Sequence, residues 1–327
     1  MFFPSFIQVP LRRLSGQRIG KGSRIRFGTL LIAQEVNLGQ GVSLGPFCLI
    51  RAEKLTLADY SMVKTLSLVS TRIVSFGKYV HIAPLSIILS EFTENSRIEI
   101  GDHSRVFPFS WMDTGEGISI GKQTSVGTHT LIYSHGTWPD YLKGGAVTFG
   151  PVVVGDEVYL ATRITILPNV VIGNNTIVGS SSFVNKSFPD NVMIGGTPAR
   201  IIKENLATAL DPAQKLAKAN EILLGFKNYM EFKYKIAVQG QPGQLRFDTG
   251  KIIIDDVSTL QAGDLLFLVN THLTADQLKN FKERKISVLD HQEKQIWLGG
   301  KDRGGHQVVT NFISFIRRYG VRLYINK

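Results

Sequence analysis

The sequence predicts a mainly β protein, in which a parallel β-helix of hexapeptide repeats is followed by a small α/β domain. Three observations support this prediction. Aliphatic residues return at every sixth position over long stretches, small residues often follow them, and both patterns end near Pro198. A period of six fits neither an α-helix, which repeats its face every ~3.6 residues, nor a single strand, which repeats every two. The chain has 327 residues, enough for about two domains.

Residues 1–18 form a basic segment ahead of the repeats. It contains Arg12, Arg13 and Arg18, and Pro4 and Pro10 interrupt its apolar part. A secretory signal places its positive residues before a longer apolar run, so we predict no signal and a cytoplasmic protein. Because a short basic and apolar segment can rest on anionic lipid, peripheral contact with the inner face of a membrane stays open.

The repeats are predicted over residues 19–205. Steps of six that land on aliphatic residues are found in several blocks, among them Ile19, Ile25, Leu31; Leu38, Leu44, Ile50; Ile120, Val126, Ile132; and Val154, Leu160, Ile166, Ile172, Val178, Val184. Six residues can form one short strand and one corner, so each aliphatic side chain would point inward and stack on its counterpart in the next coil. A β-sandwich with glycine-rich turns is the competing interpretation.

Composition and charge limit the classes of function. Lys and Arg exceed Asp and Glu by 37 to 26, a net charge of +11 that favours anionic partners. Apart from the N-terminal group, these cations are spread along the chain, so we expect no nucleic-acid binding. Cys48 is the single cysteine, which excludes an intrachain disulfide and a cysteine-based zinc site. No histidine pair has the local spacing of zinc ligands, and we predict no metal.

Three stretches carry a resemblance to a known family: Val154-Gly155-Asp156, Ile172-Gly173-Asn174-Asn175, and the ending Gly195-Gly196-Thr197-Pro198-Ala199-Arg200. With them, the segment 98–204 resembles the hexapeptide-repeat acyltransferases, such as maltose, galactoside and polysaccharide O-acetyltransferases. The resemblance implies a left-handed β-helix with three hexapeptides per coil. It also implies a homotrimer that binds acetyl-CoA between adjacent subunits.

The repeat is interrupted by a loop at 133–153, which contains aromatic and ionisable residues. Transfer of an acetyl group to a hydroxyl requires a base, and histidine suits this task because it titrates near working pH. His135 lies in this loop. The resemblance implies that His135 is the catalytic base, because the family's catalytic histidine lies at the corresponding excursion.

Polar and aromatic residues near this loop are candidates for acceptor binding. The family often has an asparagine one coil before the base, and no asparagine is found there, so Ser110 or Asp113 is expected to take its place. Aromatic rings suit a sugar face. The predicted substrate-binding residues are Ser110, Asp113, Ser134, Trp138 and Tyr141.

The resemblance also implies the residues that bind acetyl-CoA. Ala161 stands where the family usually has glycine. Gly179 and Ser180 match positions along the pantetheine arm of the cofactor. Lys186, Thr197 and Arg200 match the region of the nucleotide phosphates, which favour Lys and Arg. The predicted set is Ala161, Gly179, Ser180, Lys186, Thr197 and Arg200.

The pattern changes after the repeats. Residues 206–239 are predicted as a helical connection, with Asp211-Pro212 as a helix start signal. The turn cluster Gly240–Gly243 marks a boundary, and strands alternate with helices over 240–327. The sequence therefore predicts a small α/β domain of unknown role.

Taken together, these residues predict a CoA-dependent O-acetyltransferase acting on a sugar hydroxyl. The acceptor would be a surface polysaccharide, a lipid-linked glycan or a nucleotide sugar. N-acetylation of an amino sugar or xenobiotic is the first alternative, because the same residues would serve. A non-catalytic β-helix scaffold is the second, and it predicts no CoA binding.

Overall fold

The computed structural model describes residues 5–137, 140–206, 209–235, 238–247, 250–258, 260–261, 264–269, 271, 273–291, 295–297, 303–316, 319, 321 and 324–325. Trp138 and His272 lie outside them. The chain divides into two compact units, Met1–Thr208 and Ala209–Lys327.

The first unit is a β-helix whose coils pair in parallel along three ladders. The two long strands Leu30–Leu38 and Leu49–Leu57 bend from the third ladder into the first. The other strands of the first ladder are Arg18–Ile19, Ile73–Phe76, Arg97–Ile100, Ile118–Ile120, Val152–Val154 and Val171–Ile172. Those of the second are Arg24–Ile25, Ser43–Leu44, Met62–Val63, His81–Ile82, Arg105–Val106, Ser125–Val126, Tyr159–Leu160, Ile177–Val178 and Met193–Gly195. Those of the third are Leu68–Ser70, Ile87–Leu89, Trp111–Asp113, Leu131–Tyr133, Thr165–Ile166 and Phe183–Val184.

The predicted aliphatic positions form the core of this unit. Val154 and Ile172 are paired in the first ladder, and both are buried. Leu160 and Val178 are paired in the second ladder and are also buried. Every other aliphatic residue named in the repeat blocks above is buried as well. Each residue therefore stacks on its counterpart one coil away, and the core is continuous along the unit.

Side-chain oxygens close the corner between the first and second ladders. Asp156 Oδ1 accepts from the backbone N of Lys122 at 2.6 Å, and Asn174 Oδ1 accepts from Asp156 N at 2.7 Å. The glycine before each donating N–H leaves room for the accepting oxygen, because a Cβ on Gly121, which precedes Lys122, would lie 2.3 Å from Asp156 Oδ1. The Gly-Asp and Gly-Asn pairs thus stabilise one coil on the next.

The N-terminal basic segment contains a helix, Ser5–Leu14, whose arginines are used by the fold. Arg12 Nη2 donates to Leu31 O at 2.7 Å, and Arg13 Nε donates to Ile19 O at 3.0 Å. These two charges therefore hold the helix on the first coils. Among the described residues, no helix is long and apolar enough to cross a membrane.

The described residues of the second unit form a sheet of seven strands, which lie in chain order. They are Gln239–Gln241, Gln244–Phe247, Gly250–Ile254, Leu265–Leu268, Ser287–Asp290, Gln295–Trp297 and Tyr324–Ile325. The helices are Pro212–Tyr234, Ala275–Glu283 and Arg303–Ile316. The first unit is thus a parallel β-helix, and the second combines strands with helices. This confirms the predicted fold class, a β-helix followed by a small α/β domain.

Alternate residues of the central strands are buried in different apolar clusters of this unit. Leu265 and Phe267 pack with Phe226 of helix Pro212–Tyr234, whereas Leu266 packs with Phe281 of helix Ala275–Glu283. The first helix starts at Pro212, where Asp211 Oδ1 accepts from Gln214 N in a capping box. Through Phe226 this helix contributes to the core of the second unit, whereas the sequence predicted a helical connection over residues 206–239. The Gly240–Gly243 cluster lies within a hairpin of the same sheet.

Candidate active site

The coil register brings Asp113 next to the loop that leaves the β-helix. Asp113 ends the strand Trp111–Asp113 and pairs with Tyr133, one coil away. Two residues after Tyr133 the chain enters an antiparallel hairpin, His135–Thr137 with Val147–Phe149. Because parallel neighbours lie only about 4.8 Å apart, side chains at Asp113 and His135 can meet.

The carboxylate of Asp113 contacts the imidazole of His135. Asp113 Oδ2 forms an ion pair or hydrogen bond with His135 Nδ1. The Asp113 side chain is 8% exposed and that of His135 is 44% exposed. A proton held on Nδ1 by this carboxylate leaves Nε2 with its lone pair. The pair is thus arranged for accepting a proton at Nε2.

Burial sets the charge properties of Asp113. Removal of the carboxyl from water raises the pKa of Asp113 above its ordinary value, and the nearby Glu116 raises it further. The hydrogen bond from Gly115 N to Oδ1, at 3.1 Å, and the charge of His135 oppose this rise. The carboxylate form therefore depends on its contacts with the histidine and the backbone.

The turn after Asp113 is fixed from both sides. Thr114 Oγ1 donates to the hydroxyls of Thr71 at 2.9 Å and Ser90 at 3.1 Å, within the interior of the coils. On the other side, Glu116 N donates to Ser134 Oγ at 2.9 Å. The backbone N–H groups of Gly115 and Glu116 are therefore used by side chains of this chain.

The return of the hairpin is anchored on the next coil. Gly150 N donates to Ser134 O at 3.0 Å, and Asn169 Nδ2 donates to Phe149 O at 2.8 Å. Gly150 has a φ of 156°, and a Cβ there would lie 1.7 Å from Asn169 Oδ1. These contacts hold Phe149 opposite His135 in register, with ring centroids 6.3 Å apart.

The Asp113–His135 pair lines a cavity of about 670 Å³. Its lining also includes three aromatic side chains, Trp111, Tyr133 and Phe149, and the carboxylates of Glu91 and Glu116. A cavity of this size, with an ionisable pair and aromatic walls, is the kind of place where small ligands bind.

Of the other predicted substrate residues, the three that the structure describes do not line this cavity. Ser110 is buried, and its hydroxyl donates to Phe107 O at 2.9 Å and to Gly127 O at 3.0 Å, so we leave it out of the proposed site. Ser134 is also buried and serves the turn described above. Tyr141 begins the 3-10 helix Tyr141–Lys143, is 72% exposed and does not line the cavity. Trp138 lies outside the described residues.

The residues predicted to bind acetyl-CoA, here called the donor residues, lie on the last coils of the β-helix. The backbone N of Ala161 donates to Val178 O, and that of Gly179 donates to Ile194 O, at 3.0 and 2.8 Å. The coil ladder therefore uses both of these N–H groups.

The remaining donor residues are exposed. Lys186 lies over the Phe188 ring at 5.6 Å, and Arg200 extends from the strand Arg200–Lys203. Ser180 is also exposed, and Thr197 Oγ1 donates to Ser181 O at 3.3 Å. None of the six donor residues appears among the described residues that line the cavity.

Sequence reasoning missed two parts of the site. Phe149 and Glu116 line the cavity but were not singled out, and Asp113 was expected to touch the acceptor rather than the histidine. The repeat frame carried a usable signal for Asp113, because a one-coil shift aligns it with Tyr133, two residues before His135. Phe149 is positioned by the hairpin, which has no such period.

Comparison with known proteins supports the resemblance seen in the sequence. Over 87 residues the chain is 40% identical to “Putative acetyltransferase YvoF” of Bacillus subtilis (strain 168), covering 27% of this chain and 48% of that protein. It is 30% identical over 118 residues to “Putative lipopolysaccharide biosynthesis O-acetyl transferase WbbJ” of Escherichia coli (strain K12), covering 33% and 60%. With the galactoside O-acetyltransferase of the same strain the identity is 27% over 127 residues, covering 32% and 63%.

The similarity to acetyltransferases is therefore confirmed, over a limited part of each protein. The chain spans between about half and two thirds of the length of these three relatives. No family model matches the chain.

Proposed function

We propose that the protein is a CoA-dependent O-acetyltransferase that moves an acetyl group from acetyl-CoA to a sugar hydroxyl. The observation that carries the proposal is the Asp113–His135 pair in a cavity beside the interrupted coil. The names of similar proteins, which include O-acetyltransferases of a galactoside and of lipopolysaccharide biosynthesis, support the reaction type.

His135 acts as the general base in this proposal. Its Nε2 accepts the proton of the acceptor hydroxyl while the hydroxyl oxygen bonds to the thioester carbonyl carbon. Asp113 holds the other ring nitrogen and stabilises the imidazolium that forms. As the carbon–sulfur bond breaks, the proton passes from Nε2 to the departing sulfur. The acetyl ester and the free thiol of CoA are the products, and no covalent enzyme intermediate is needed.

Acetyl-CoA is the co-substrate, and it supplies the acetyl group as a reactive thioester. Ala161, Gly179 and Ser180 would lie along its pantetheine arm without offering the backbone N–H groups of Ala161 and Gly179, because the coil ladder uses both. Thr197 would lie near the nucleotide phosphates. Lys186 and Arg200 are exposed cations suited to phosphate groups.

A homotrimer with the site between subunits is part of the proposal. The cavity and the proposed donor residues are separate groups on this chain, because none of the latter lines the cavity among the described residues. A neighbouring subunit could bring its donor residues to this cavity. We place the enzyme in the cytoplasm, where acetyl-CoA is available to it.

The test is a calorimetric titration of acetyl-CoA together with an assay of thiol release on a panel of saccharides. His135→Gln should bind acetyl-CoA as the wild type does, but lose about 10²–10⁴-fold in turnover. His129→Gln is the matched control, because His129 stacks on Phe109 in a regular coil and does not line the cavity. If acetyl-CoA does not bind the wild type, the acyltransferase proposal fails and a scaffold role replaces it. Undiminished turnover in His135→Gln would remove the base assignment.

A further inference from the structure

Among the described residues, the cavity around the Asp113–His135 pair is lined by three acidic residues and by His135. The acidic residues are Asp113, Glu91 and Glu116. Among the described lining residues there is no lysine or arginine, although the chain as a whole has a net charge of +11. The site is therefore acidic within a basic protein.

The two glutamates of this wall are not neutralised by cations within the described residues. Glu116 Oε2 accepts from the uncharged amide of Asn95 at 2.8 Å. Neither Glu91 nor Glu116 takes part in any ion pair between described residues, and Glu91 is exposed. A ligand in the cavity therefore meets two glutamates that form no ion pair with the described lysines and arginines. The contribution of Glu116 to the raised pKa of Asp113 is a further sign of its field.

The guanidinium groups that border this region are engaged elsewhere. Arg72 donates to Thr93 O at 3.0 Å and forms an ion pair with Glu53 at 3.6 Å. Arg97 lies 4.0 Å from Glu99. Arg72 and Arg97 each have a carboxylate partner, and the Arg51 guanidinium lies over the Phe92 ring, 4.5 Å from its centroid. None of the three arginines lines the cavity, so they offset little of the charge that a ligand would meet.

The rest of the wall suits a saccharide ring. Trp111 and Phe149 present apolar faces, and Tyr133 adds a ring with a hydroxyl. Such a surface binds a sugar without regard to its charge, so the carboxylates decide which sugars are accepted.

From this arrangement we infer that the acceptor is a saccharide that is uncharged or carries an ammonium group at the reacting residue. Uronic acids, sialic acids and phosphorylated sugars are disfavoured by repulsion from Glu116 and Glu91. The inference rests on the proposed O-acetyltransferase function and specifies its substrate class. It also requires the anionic CoA to approach from outside this wall.

The experiment compares acceptors that differ in charge at one position. Initial rates of acetylation are measured with methyl glucoside, methyl glucosaminide and methyl glucuronide at low ionic strength. For the wild type we expect kcat/KM to be at least about tenfold higher for the two former than for the glucuronide, and salt should reduce the difference.

Charge-neutral variants assign the effect to the two glutamates. Glu116→Gln retains an oxygen for the Asn95 amide, and Glu91→Gln changes an exposed side chain, so neither should prevent folding. Each should lower the ratio of neutral to anionic kcat/KM by about threefold or more. Glu35→Gln removes the same charge at a 72% exposed position that does not line the cavity, and it should leave the ratio unchanged.

The outcomes separate the inference from the function on which it rests. Equal rates on the neutral and anionic acceptors, or a ratio that Glu116→Gln and Glu91→Gln leave intact, would overturn the inference while the acetyltransferase function stands. A protein that neither binds acetyl-CoA nor acetylates any of the three would refute the function itself, and the inference would fall with it.

Discussion

The regular coils after Val154 and the interrupted coils between Asp113 and Gly150 treat polar side chains differently. In the regular coils, Thr176 Oγ1 donates to Pro189 O and Ser182 Oγ donates to Gly179 O, so both hydroxyls serve their own backbone. In the interrupted coils, Asp113 contacts His135, whose ring remains about half exposed. The same repeat thus supports a closed core in one region and an accessible ionisable pair in the other.

The difference follows from the length of chain in each coil. Eighteen residues separate the paired positions Val154 and Ile172, whereas thirty-four separate Ile120 and Val154. The extra residues leave the coil as a hairpin and return at Gly150 without breaking the ladder. An insertion at a corner can therefore carry function at little cost to the core, because loops tolerate added length.

The largest effect on stability is expected in a regular coil. Ile166→Ala removes a fully buried side chain of the third ladder, and the free energy of unfolding should fall by about 2–5 kcal/mol. Phe149→Ala, in the hairpin, removes an exposed ring and should change it by less than about 0.5 kcal/mol while lowering kcat/KM. Urea denaturation of both variants measures the two changes in the free energy of unfolding. An equal loss in Ile166→Ala and Phe149→Ala would contradict the difference expected between the regular coil and the hairpin.

Asp113→Asn should separate activity from stability. The amide keeps the shape of the side chain but cannot hold an imidazolium as the carboxylate does, so kcat should fall by about tenfold to a hundredfold. Because burial raises the pKa of Asp113, the folded chain binds this proton more readily than the unfolded chain does. The charged carboxylate therefore lowers the free energy of unfolding at neutral pH.

The pH dependence gives that variant a second readout. At pH 7 Asp113→Asn should unfold at a urea concentration equal to or higher than that of the wild type. The advantage should shrink as the pH falls through the raised pKa of Asp113, since the wild-type carboxyl then becomes neutral. A variant that is both inactive and less stable at neutral pH would indicate that Asp113 has a structural role only.

A smaller effect is expected from a histidine in a regular coil. Arg105 Nε donates to His81 Nδ1 at 3.0 Å. The other ring nitrogen of His81, Nε2, is buried without a hydrogen-bond partner among the described residues. Burial, with the charges of Arg105 and Lys64, lowers the pKa of His81 to about 4.

The unfolded chain therefore protonates His81 at a higher pH than the folded chain does. The free energy of unfolding should decrease as the pH falls from about 6.5 toward 4, by about 1 kcal/mol between pH 7 and pH 5 once solvent screening is allowed for. His81→Gln should flatten this slope in urea denaturation at the two pH values. The same slope in the variant would show that other groups cause it.

The sequence predicts the β-helix well because the repeat has a simple physical origin. Each aliphatic at a sixth position needs only its counterpart one coil away, so register and burial follow from spacing. Val126 and Val178 are buried in the second ladder as the frame requires. In the second unit, the Gly240–Gly243 turn cluster predicts a boundary, but it joins the strands Gln239–Gln241 and Gln244–Phe247 of one hairpin.

The candidate site is less predictable because its contacts cross between coils and the hairpin. The position of His135 follows from the interruption of the frame, but its contact with Asp113 depends on side-chain direction at the end of a strand. Ser110 was equally plausible by residue type, and only its hydrogen bonds to two carbonyls remove it. Residue type and spacing thus locate the site, while packing assigns the roles.

Asp113 and His135 act as one unit in the proposed mechanism, and a double-mutant cycle measures how strongly their effects on turnover are coupled. Turnover of a neutral saccharide is measured for the wild type, Asp113→Asn, His135→Gln and the double variant, with acetyl-CoA binding checked in each. If the pair acts as a unit, the double variant should be no slower than His135→Gln alone, because Asp113 works through the imidazole. Independent losses that multiply in the double variant would contradict the claim.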